Sequence, residues 1–176
     1  QTFTGGVSFD GGIIVENCSF GSEFWPAPTA VNGLIYAGNY ASGGDFKILS
    51  NLFNELEPSL STYVIELNYV NGNSTIADNR FVRCRSEIMN VDDSGCVISG
   101  NRFFGNDIGT FKDSHIVFMR CNDSVIERNL FWNNTVDWEI IVDYGNNTIR
   151  YNILLESVRK AIELHQDADG CLVYGN

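Results

Sequence analysis

The hexapeptide Ile98-Ser99-Gly100-Asn101-Arg102-Phe103 shows a pattern that recurs along this chain of 176 residues. An apolar residue is followed three positions later by asparagine, and two positions after the asparagine comes phenylalanine or leucine. Complete copies begin at Ile48, Ile76, Ile98, Ile126 and Ile149. A first copy around Asn17 has its phenylalanine one place late, at Phe20, and a last copy ends at Asn176. Such self-similarity is the sequence signature of a repeat architecture.

The spacing of the repeated asparagines narrows the choice of repeat. Neighbouring copies are separated by 22 to 34 residues, whereas a propeller blade needs about 40. A leucine-rich repeat requires an apolar residue five positions before each asparagine, and those positions are mostly small or polar here. A second apolar segment precedes each copy, and a turn rich in glycine, asparagine and aspartate joins the two. Each repeat therefore predicts three short strands separated by a polar turn, an asparagine turn and a variable loop.

These repeats resemble the parallel β-helix repeat family, the architecture shared by pectate-lyase-like proteins. The resemblance predicts an all-β fold, a right-handed parallel β-helix of about seven coils that occupies residues 1–176 as a single domain. It also implies that the recurrent asparagines fill an inward turn and stack as a ladder, because a stacked amide can donate to one coil and accept from the next. One fold hosts many functions, so the resemblance does not predict an activity.

The charge and the chain ends suggest what kind of partner to expect. Eleven basic and 22 acidic residues give a net charge of −11, which disfavours nucleic acid and favours cations or basic partners. No apolar window approaches the ~20 residues of a membrane span. The last copy stops mid-repeat at Asn176, and neither end carries an amphipathic cap. We therefore expect a segment of a longer or end-to-end stacked solenoid, with further coils or other protein subunits as partners at its open ends.

The five cysteines do not form a recognisable metal or disulfide pattern. Their number is odd, and no two of them have the Cys-x-x-Cys spacing of a zinc site. Columns of the repeat place Cys96 and Cys171 three coils apart, which is too far for a disulfide. We therefore expect mainly unpaired thiols.

One stretch of each repeat carries residues that are suited to chemistry. Counting back from the ladder asparagines aligns Glu139 with Glu163 and Asp143 with Asp167, on outward positions about 4.8 Å apart. The same count brings His165 close to this group and puts Arg120 between Asp92 and Asp143. The candidate catalytic residues are Asp143, Asp167, His165, Glu163 and Arg120. Close carboxylates can form an acid–base pair, bind Ca²⁺ or simply make a solvated charge ladder, and we favour the ladder.

The motifs of the polysaccharide-cleaving enzymes are incomplete in this sequence. The polygalacturonase-type pattern pairs Asp-Asp with Gly-His-Gly and Arg-x-Lys, and only Asp92-Asp93 is present. The sequence therefore assigns no catalytic residue, no metal ligand and no cofactor, although Ca²⁺ remains possible. We expect an extracellular structural or adhesive module: a fibre, a surface appendage or a glycan-contacting scaffold. The alternative is a polysaccharide lyase, hydrolase or epimerase that uses the acidic outer face.

Asparagine-linked glycosylation is a further expectation. Candidate acceptors in Asn-x-Ser/Thr sequons are Asn73, Asn122, Asn133 and Asn146. A fifth sequon, at Asn17, is excluded because that residue is expected inside the ladder. These sites fit a protein that is secreted or displayed on a cell or particle surface, with polysaccharide or glycan as a possible partner.

Overall fold

The computed structural model describes residues 14–21, 33–38, 45–55, 63–68, 73–85, 88–92, 94–107, 114–157, 159–165 and 167–176. Within these ranges the chain forms nineteen strands and no helix. In chain order they are β1 (Ile14–Glu16), β2 (Ser19–Gly21), β3 (Gly33–Gly38), β4 (Lys47–Leu49), β5 (Leu52–Asn54), β6 (Tyr63–Asn68), β7 (Thr75–Ala77), β8 (Arg80–Val82), β9 (Met89–Asp92), β10 (Val97–Ser99), β11 (Arg102–Phe104), β12 (His115–Met119), β13 (Val125–Glu127), β14 (Leu130–Trp132), β15 (Trp138–Val142), β16 (Thr148–Arg150), β17 (Ile153–Leu155), β18 (Lys160–Leu164) and β19 (Leu172–Tyr174).

The strands form three parallel sheets that run the length of a solenoid. Sheet A has the order β1-β4-β7-β10-β13-β16-β19, sheet B the order β2-β5-β8-β11-β14-β17, and sheet C the order β3-β6-β9-β12-β15-β18. Every third strand along the chain therefore pairs with its counterpart in the next coil. The predicted all-β parallel solenoid is confirmed. The count of about seven is slightly high, since the described strands make six complete coils and one further strand.

The repeat pattern explains why these residues build a core. The apolar residue of each copy is the central residue of a sheet A strand, and from Ile48 to Ile149 it is fully buried. The phenylalanine two positions after the asparagine is the central residue of a sheet B strand. Neighbouring phenylalanine rings from Phe20 to Phe131 stack with centroids 4.7–4.9 Å apart. The core is thus a set of identical side chains repeated at the strand spacing.

The asparagine ladder lies in the turn between sheets A and B. Each amide Nδ2 donates to Oδ1 of the asparagine in the next coil at 2.9–3.0 Å, along Asn51, Asn79, Asn101, Asn129, Asn152 and Asn176. The same Oδ1 also accepts the backbone N–H of the preceding asparagine, as Asn101 does from Asn79 at 3.0 Å. The predicted ladder is confirmed over these six residues.

The first coil departs from the prediction. Cys18, and not Asn17, occupies the ladder position, since the Cys18 N–H donates to Asn51 Oδ1 at 2.9 Å. Asn17 is exposed and has a φ of 54°, like the residues before the other ladder asparagines. Phe20 pairs with Phe53, so the phenylalanine that looks one place late is in register. The assignment of Asn17 to the ladder was wrong. The first copy keeps the distances from the apolar residue to the ladder position and from there to phenylalanine, but it has cysteine in place of asparagine.

None of the five cysteines, all within the described ranges, forms a disulfide. Cys84, Cys96 and Cys121 are buried in the core, whereas Cys18 is exposed. We expect a thiol reagent to count five thiols in denatured, unreduced protein, and Cys18 to react first in the native protein because access limits the reaction. A count of three or one in the denatured protein would mean that disulfides form.

The prediction of one domain over residues 1–176 stays a prediction, because residues 1–13 and the other gaps lie outside the described ranges. In the part of the chain that the structure describes, no helix is long and apolar enough to cross a membrane.

Candidate functional site

The candidate residues lie on the outer side of sheet C, where strands β9, β12, β15 and β18 end. Along each strand, alternate side chains such as Ile140 and Val142 point into the core and are fully buried. Asp143 and Glu163 stand at positions that alternate with these residues and are partly exposed. We call the acidic face the set formed by Asp92, Arg120, Asp143, Glu163 and His165.

The register of the last coil differs by two residues from the register that was counted back from the asparagines. Strand pairing puts Glu163 opposite Ile141, and the His165 N–H donates to the Val142 carbonyl at 2.9 Å. Seven positions separate His165 from the next sheet A strand at Leu172, whereas five separate Asp143 from Thr148. The turn after β18 is therefore two residues longer than the turn after β15, and counting back from the asparagines does not detect this difference.

This correction changes which residues meet. Asp143 lies beside His165, and their Oδ1 and Nδ1 atoms form an ion pair when the imidazole is protonated. Asp167 is instead an exposed residue of the turn that follows, so the expected pairing of Asp143 with Asp167 is wrong. The outward direction of the Asp143 position is supported, because its side chain is 25% exposed whereas Val142 before it is fully buried.

His165 lies between two carboxylates. Its Nε2 atom is 3.8 Å from Glu163 Oε1, on the side away from Asp143. Glu163 Oε2 in turn accepts a hydrogen bond from Lys160 Nζ at 2.9 Å. This bond from Lys160 outweighs partial burial and lowers the pKa of Glu163. Lys160 also lies over the Trp138 ring, 5.3 Å from its centroid, a cation–π contact that holds the ammonium group beside Glu163.

Arg120 lies between Asp92 and Asp143 in the strand order, as the counting predicts. Its guanidinium stands 5.6 Å from the centroid of the Phe118 ring. Burial raises the pKa of Asp92, and the attraction of Arg120 offsets only part of that rise. Arg120 thus places positive charge between two carboxylates that lie on either side of it along the column.

Glu139 is not on the acidic face, which is a second correction. Its side chain is 0% exposed, because it lies at the corner between sheets B and C in a column with Val64, Ile88 and Ile116, all fully buried. Strict alternation fails here, since two successive residues of a strand are buried at this corner. Burial raises the pKa of Glu139 from its ordinary value of 4.5 to about 7, although hydrogen bonds from Ser157 and Asn134 oppose the rise.

Glu139 ends a second internal ladder that the sequence reasoning missed. Asn106 Nδ2 donates to Asn134 Oδ1 at 2.9 Å, and Asn134 Nδ2 donates to Glu139 Oε2 at 3.2 Å. The Ser157 hydroxyl donates to the other carboxylate oxygen, Oε1, at 3.1 Å. A signal was present in the sequence, because Asn106 and Asn134 each follow a first-ladder asparagine by five residues.

The four sequon asparagines that were proposed as glycan acceptors are all exposed, at Asn73, Asn122, Asn133 and Asn146. Two of them pack against glycines of the next coil. A Cβ at Gly95 would lie 2.6 Å from Asn73 Oδ1, and one at Gly170 would lie 2.7 Å from Asn146 Oδ1. Both glycines also have positive φ. Any other residue at these positions would therefore meet both a steric clash and backbone strain. Glycosylation at these four residues stays a prediction.

Metal ligands are not gathered at one point of the described structure. Among the described residues, no group of three or more histidine, cysteine, aspartate or glutamate side chains is placed to hold a metal ion. On the acidic face, His165 and Lys160 occupy the positions next to the carboxylates that a cation would need.

Three parallel sheets wound around an apolar core, with asparagine ladders in the turns, define a parallel β-helix. The family model for the right handed beta helix region matches residues 11–176, so this chain belongs to that family and its coil is right-handed. Neither the curated proteins nor the solved structures contain a significant match.

Proposed function

We propose that this β-helix is a non-catalytic extracellular module with a structural or adhesive role, and that it contacts glycans or other protein subunits. The observation that carries the proposal is the pairing of charges on the acidic face. Asp143 faces His165, and Glu163 accepts a hydrogen bond from Lys160. Hydrolysis by a carboxyl pair needs one group that holds a proton near neutral pH beside one that stays ionised. A carboxylate such as Glu163, whose pKa the hydrogen bond from Lys160 lowers, is suited to the second task only.

The carboxyl group with the largest rise in pKa is in the wrong place for catalysis. Glu139 has a pKa of about 7, which would suit a general acid, but it is 0% exposed and its oxygens are occupied by Asn134 and Ser157. A substrate on the outer face does not reach it. The raised pKa of Glu139 is therefore a consequence of its burial in the core and gives no support to a catalytic role.

The extracellular part of the proposal is supported by the surface. Four sequon asparagines are exposed on turns, where an attached glycan would point into solvent. Three of the five thiols are buried, which protects them from oxidation outside the cell. Exposed aromatic and charged side chains on the strand faces offer the polar and stacking contacts that bind sugars.

A polysaccharide lyase, hydrolase or epimerase is the second candidate. One observation favours it: His165 lies between Asp143 and Glu163, which is how a carboxylate orients and polarises a histidine base. Arg120 on the neighbouring strand would then face an acidic sugar.

Turnover assays separate the two candidates. Wild-type protein, Asp143→Asn and His165→Gln are incubated with a panel of acidic and neutral polysaccharides, with and without Ca²⁺, and new reducing or unsaturated chain ends are counted. Asp167→Asn is the matched control, because this exposed carboxylate lies two residues after His165 and does not belong to the pair formed by Asp143 and His165. We expect no turnover by any of the four proteins. Wild-type turnover that both site variants lose while the control keeps it would establish the enzyme and overturn the structural proposal.

Calcium is expected to leave the melting temperature unchanged. A ligand that binds only the folded state raises the melting temperature, but the places beside Glu163 and Asp143 where a cation would bind are already occupied by Lys160 and His165. The measurement is thermal unfolding in chelator and in excess Ca²⁺. A rise with Ca²⁺ that Asp143→Asn abolishes would show that the face binds the ion.

A further inference from the structure

The outer side of sheet B carries basic residues at one end and aromatic residues next to them. Two outward columns run across its strands. One contains Arg80, Arg102, Leu130 and Ile153, and the other contains Val82, Phe104, Trp132 and Leu155. We call the basic–aromatic face the set formed by Arg80, Arg102, Phe104 and Trp132. It lies on a different sheet from the acidic face.

The two arginines of this face are not neutralised by the described structure. Arg80 and Arg102 are exposed and directly opposite each other on neighbouring strands, an arrangement that is unfavourable for like charges. Neither makes an ion pair with any residue that the structure describes. Other surface arginines do: Arg83 pairs with Glu55 at 2.6 Å, and Arg159 pairs with Asp137 at 2.6 Å. The chain has twice as many acidic as basic residues, so two adjacent arginines without a carboxylate partner among the described residues are unexpected.

The aromatic part of the face is exposed and held in place. Phe104 is 40% and Trp132 44% exposed, and their rings meet edge to face with centroids 5.0 Å apart. Trp132 Nε1 donates to Glu156 Oε2 at 3.2 Å, which fixes the indole. Ile153 and Leu155 continue the apolar surface on the next strand. A contiguous exposed apolar patch of this kind marks a binding surface.

We propose that an anionic polysaccharide lies along the basic–aromatic face, parallel to the solenoid axis. Its acid groups bind Arg80 and Arg102, because the guanidinium fork matches a carboxylate. Its sugar rings pack on Phe104 and Trp132, whose flat apolar faces suit the C–H side of a pyranose. Neighbouring strands are about 4.8 Å apart, so successive arginines and rings offer a regular series of contacts to a linear polymer.

The net charge of the protein favours an anionic polysaccharide over a second copy of the chain as the partner of this face. Two copies with a net charge of −11 repel each other, whereas an anionic glycan meets the one described place where adjacent positive charges lack carboxylate partners. The inference rests on the proposed adhesive function for its biological use. Its test is separate, since turnover depends on Asp143 and His165 of another sheet.

Binding is measured with two polymers that share a backbone and differ in charge, carboxymethyl cellulose and hydroxyethyl cellulose. We expect wild-type protein to bind only the charged polymer, and the affinity to fall with added salt. Arg80→Gln/Arg102→Gln should lose at least about tenfold in affinity, and Trp132→Ala about tenfold, because charge-assisted contacts and stacking are both removed. Lys47→Gln/Arg159→Gln removes the same charge elsewhere and should bind like wild type.

Circular dichroism and the melting temperature check that each variant is folded. Equal binding of both polymers, no binding by wild-type protein, or equal losses in the test and control doubles would overturn the proposal. So would a wild-type dimer in sedimentation experiments that Trp132→Ala dissociates, since the face would then belong to a second copy. Polysaccharide turnover would contradict the proposed non-catalytic function and leave this inference standing.

Discussion

Glu139→Gln is expected to make the protein more stable than wild type near pH 8 and to remove most of its loss of stability between about pH 5 and pH 8. The carboxyl group is fully buried, and its pKa rises from 4.5 to about 7 in the folded protein. Glutamine keeps an oxygen for the Asn134 amide. Its Nε2 can donate to the Ser157 hydroxyl, which then acts as acceptor.

The direction follows from proton binding. Between 4.5 and about 7 the folded state holds a proton on Glu139 that the unfolded state has released. The stability that Glu139 contributes is therefore complete below pH 4.5 and is lost as the pH rises through about 7. The gap between the two pKa values corresponds to about 3 kcal/mol, a large part of the stability of a domain this size.

Urea unfolding of wild type and Glu139→Gln at several pH values from about 5 to 8 measures the effect. Glu163→Gln is the control, because the pKa of Glu163 is lowered and this carboxylate is partly exposed. Its contribution has the opposite sign, is lost as the pH falls, and is small for a surface pair. Parallel pH dependence in wild type and Glu139→Gln would show that the buried carboxyl does not titrate near neutral pH.

The fold was predictable because the repeat encodes it twice, once in the asparagine and once in the phenylalanine two positions later. The two signals agree from Asn51 to Phe131, and the structure stacks both. They disagree only in the first copy, where Phe20 keeps the register and Asn17 does not. The bulky core side chain was the better guide, since only one register buries it.

The candidate site was less predictable, because the register of an outward column depends on the length of each turn. The turn after β18 is two residues longer than the turn after β15, and counting back from the asparagine moved every residue of β18 by two positions. Alternation alone put Glu139 outside, although it lies at a corner where consecutive residues are buried. The second ladder was overlooked because its positions hold Cys84, Asn106, Asn134 and Ser157, which share no residue type throughout.

Asn101→Ala is expected to lower the free energy of unfolding by about 1–3 kcal/mol, because it leaves buried polar groups on the neighbouring coil without hydrogen-bond partners. Asn101 Oδ1 accepts both the backbone N–H and the Nδ2–H of Asn79, each at 3.0 Å. Asn101 Nδ2 donates to the Ile76 carbonyl at 2.8 Å. All these groups are out of reach of water, since Asn79, Asn101 and Ile76 are fully buried.

The control is Asn122→Ala, which removes the same side chain from an exposed turn and should change the stability by no more than about 0.5 kcal/mol. Denaturant unfolding of both variants and wild type gives the difference. An unchanged midpoint for Asn101→Ala would mean that the ladder does not stabilise this coil. A large loss confined to Asn101 would show that the ladder holds neighbouring coils together from inside. Each coil contacts mainly its neighbours, so a break at coil four should loosen the pairing of β10 and β11 with β7 and β8 before it affects the ends.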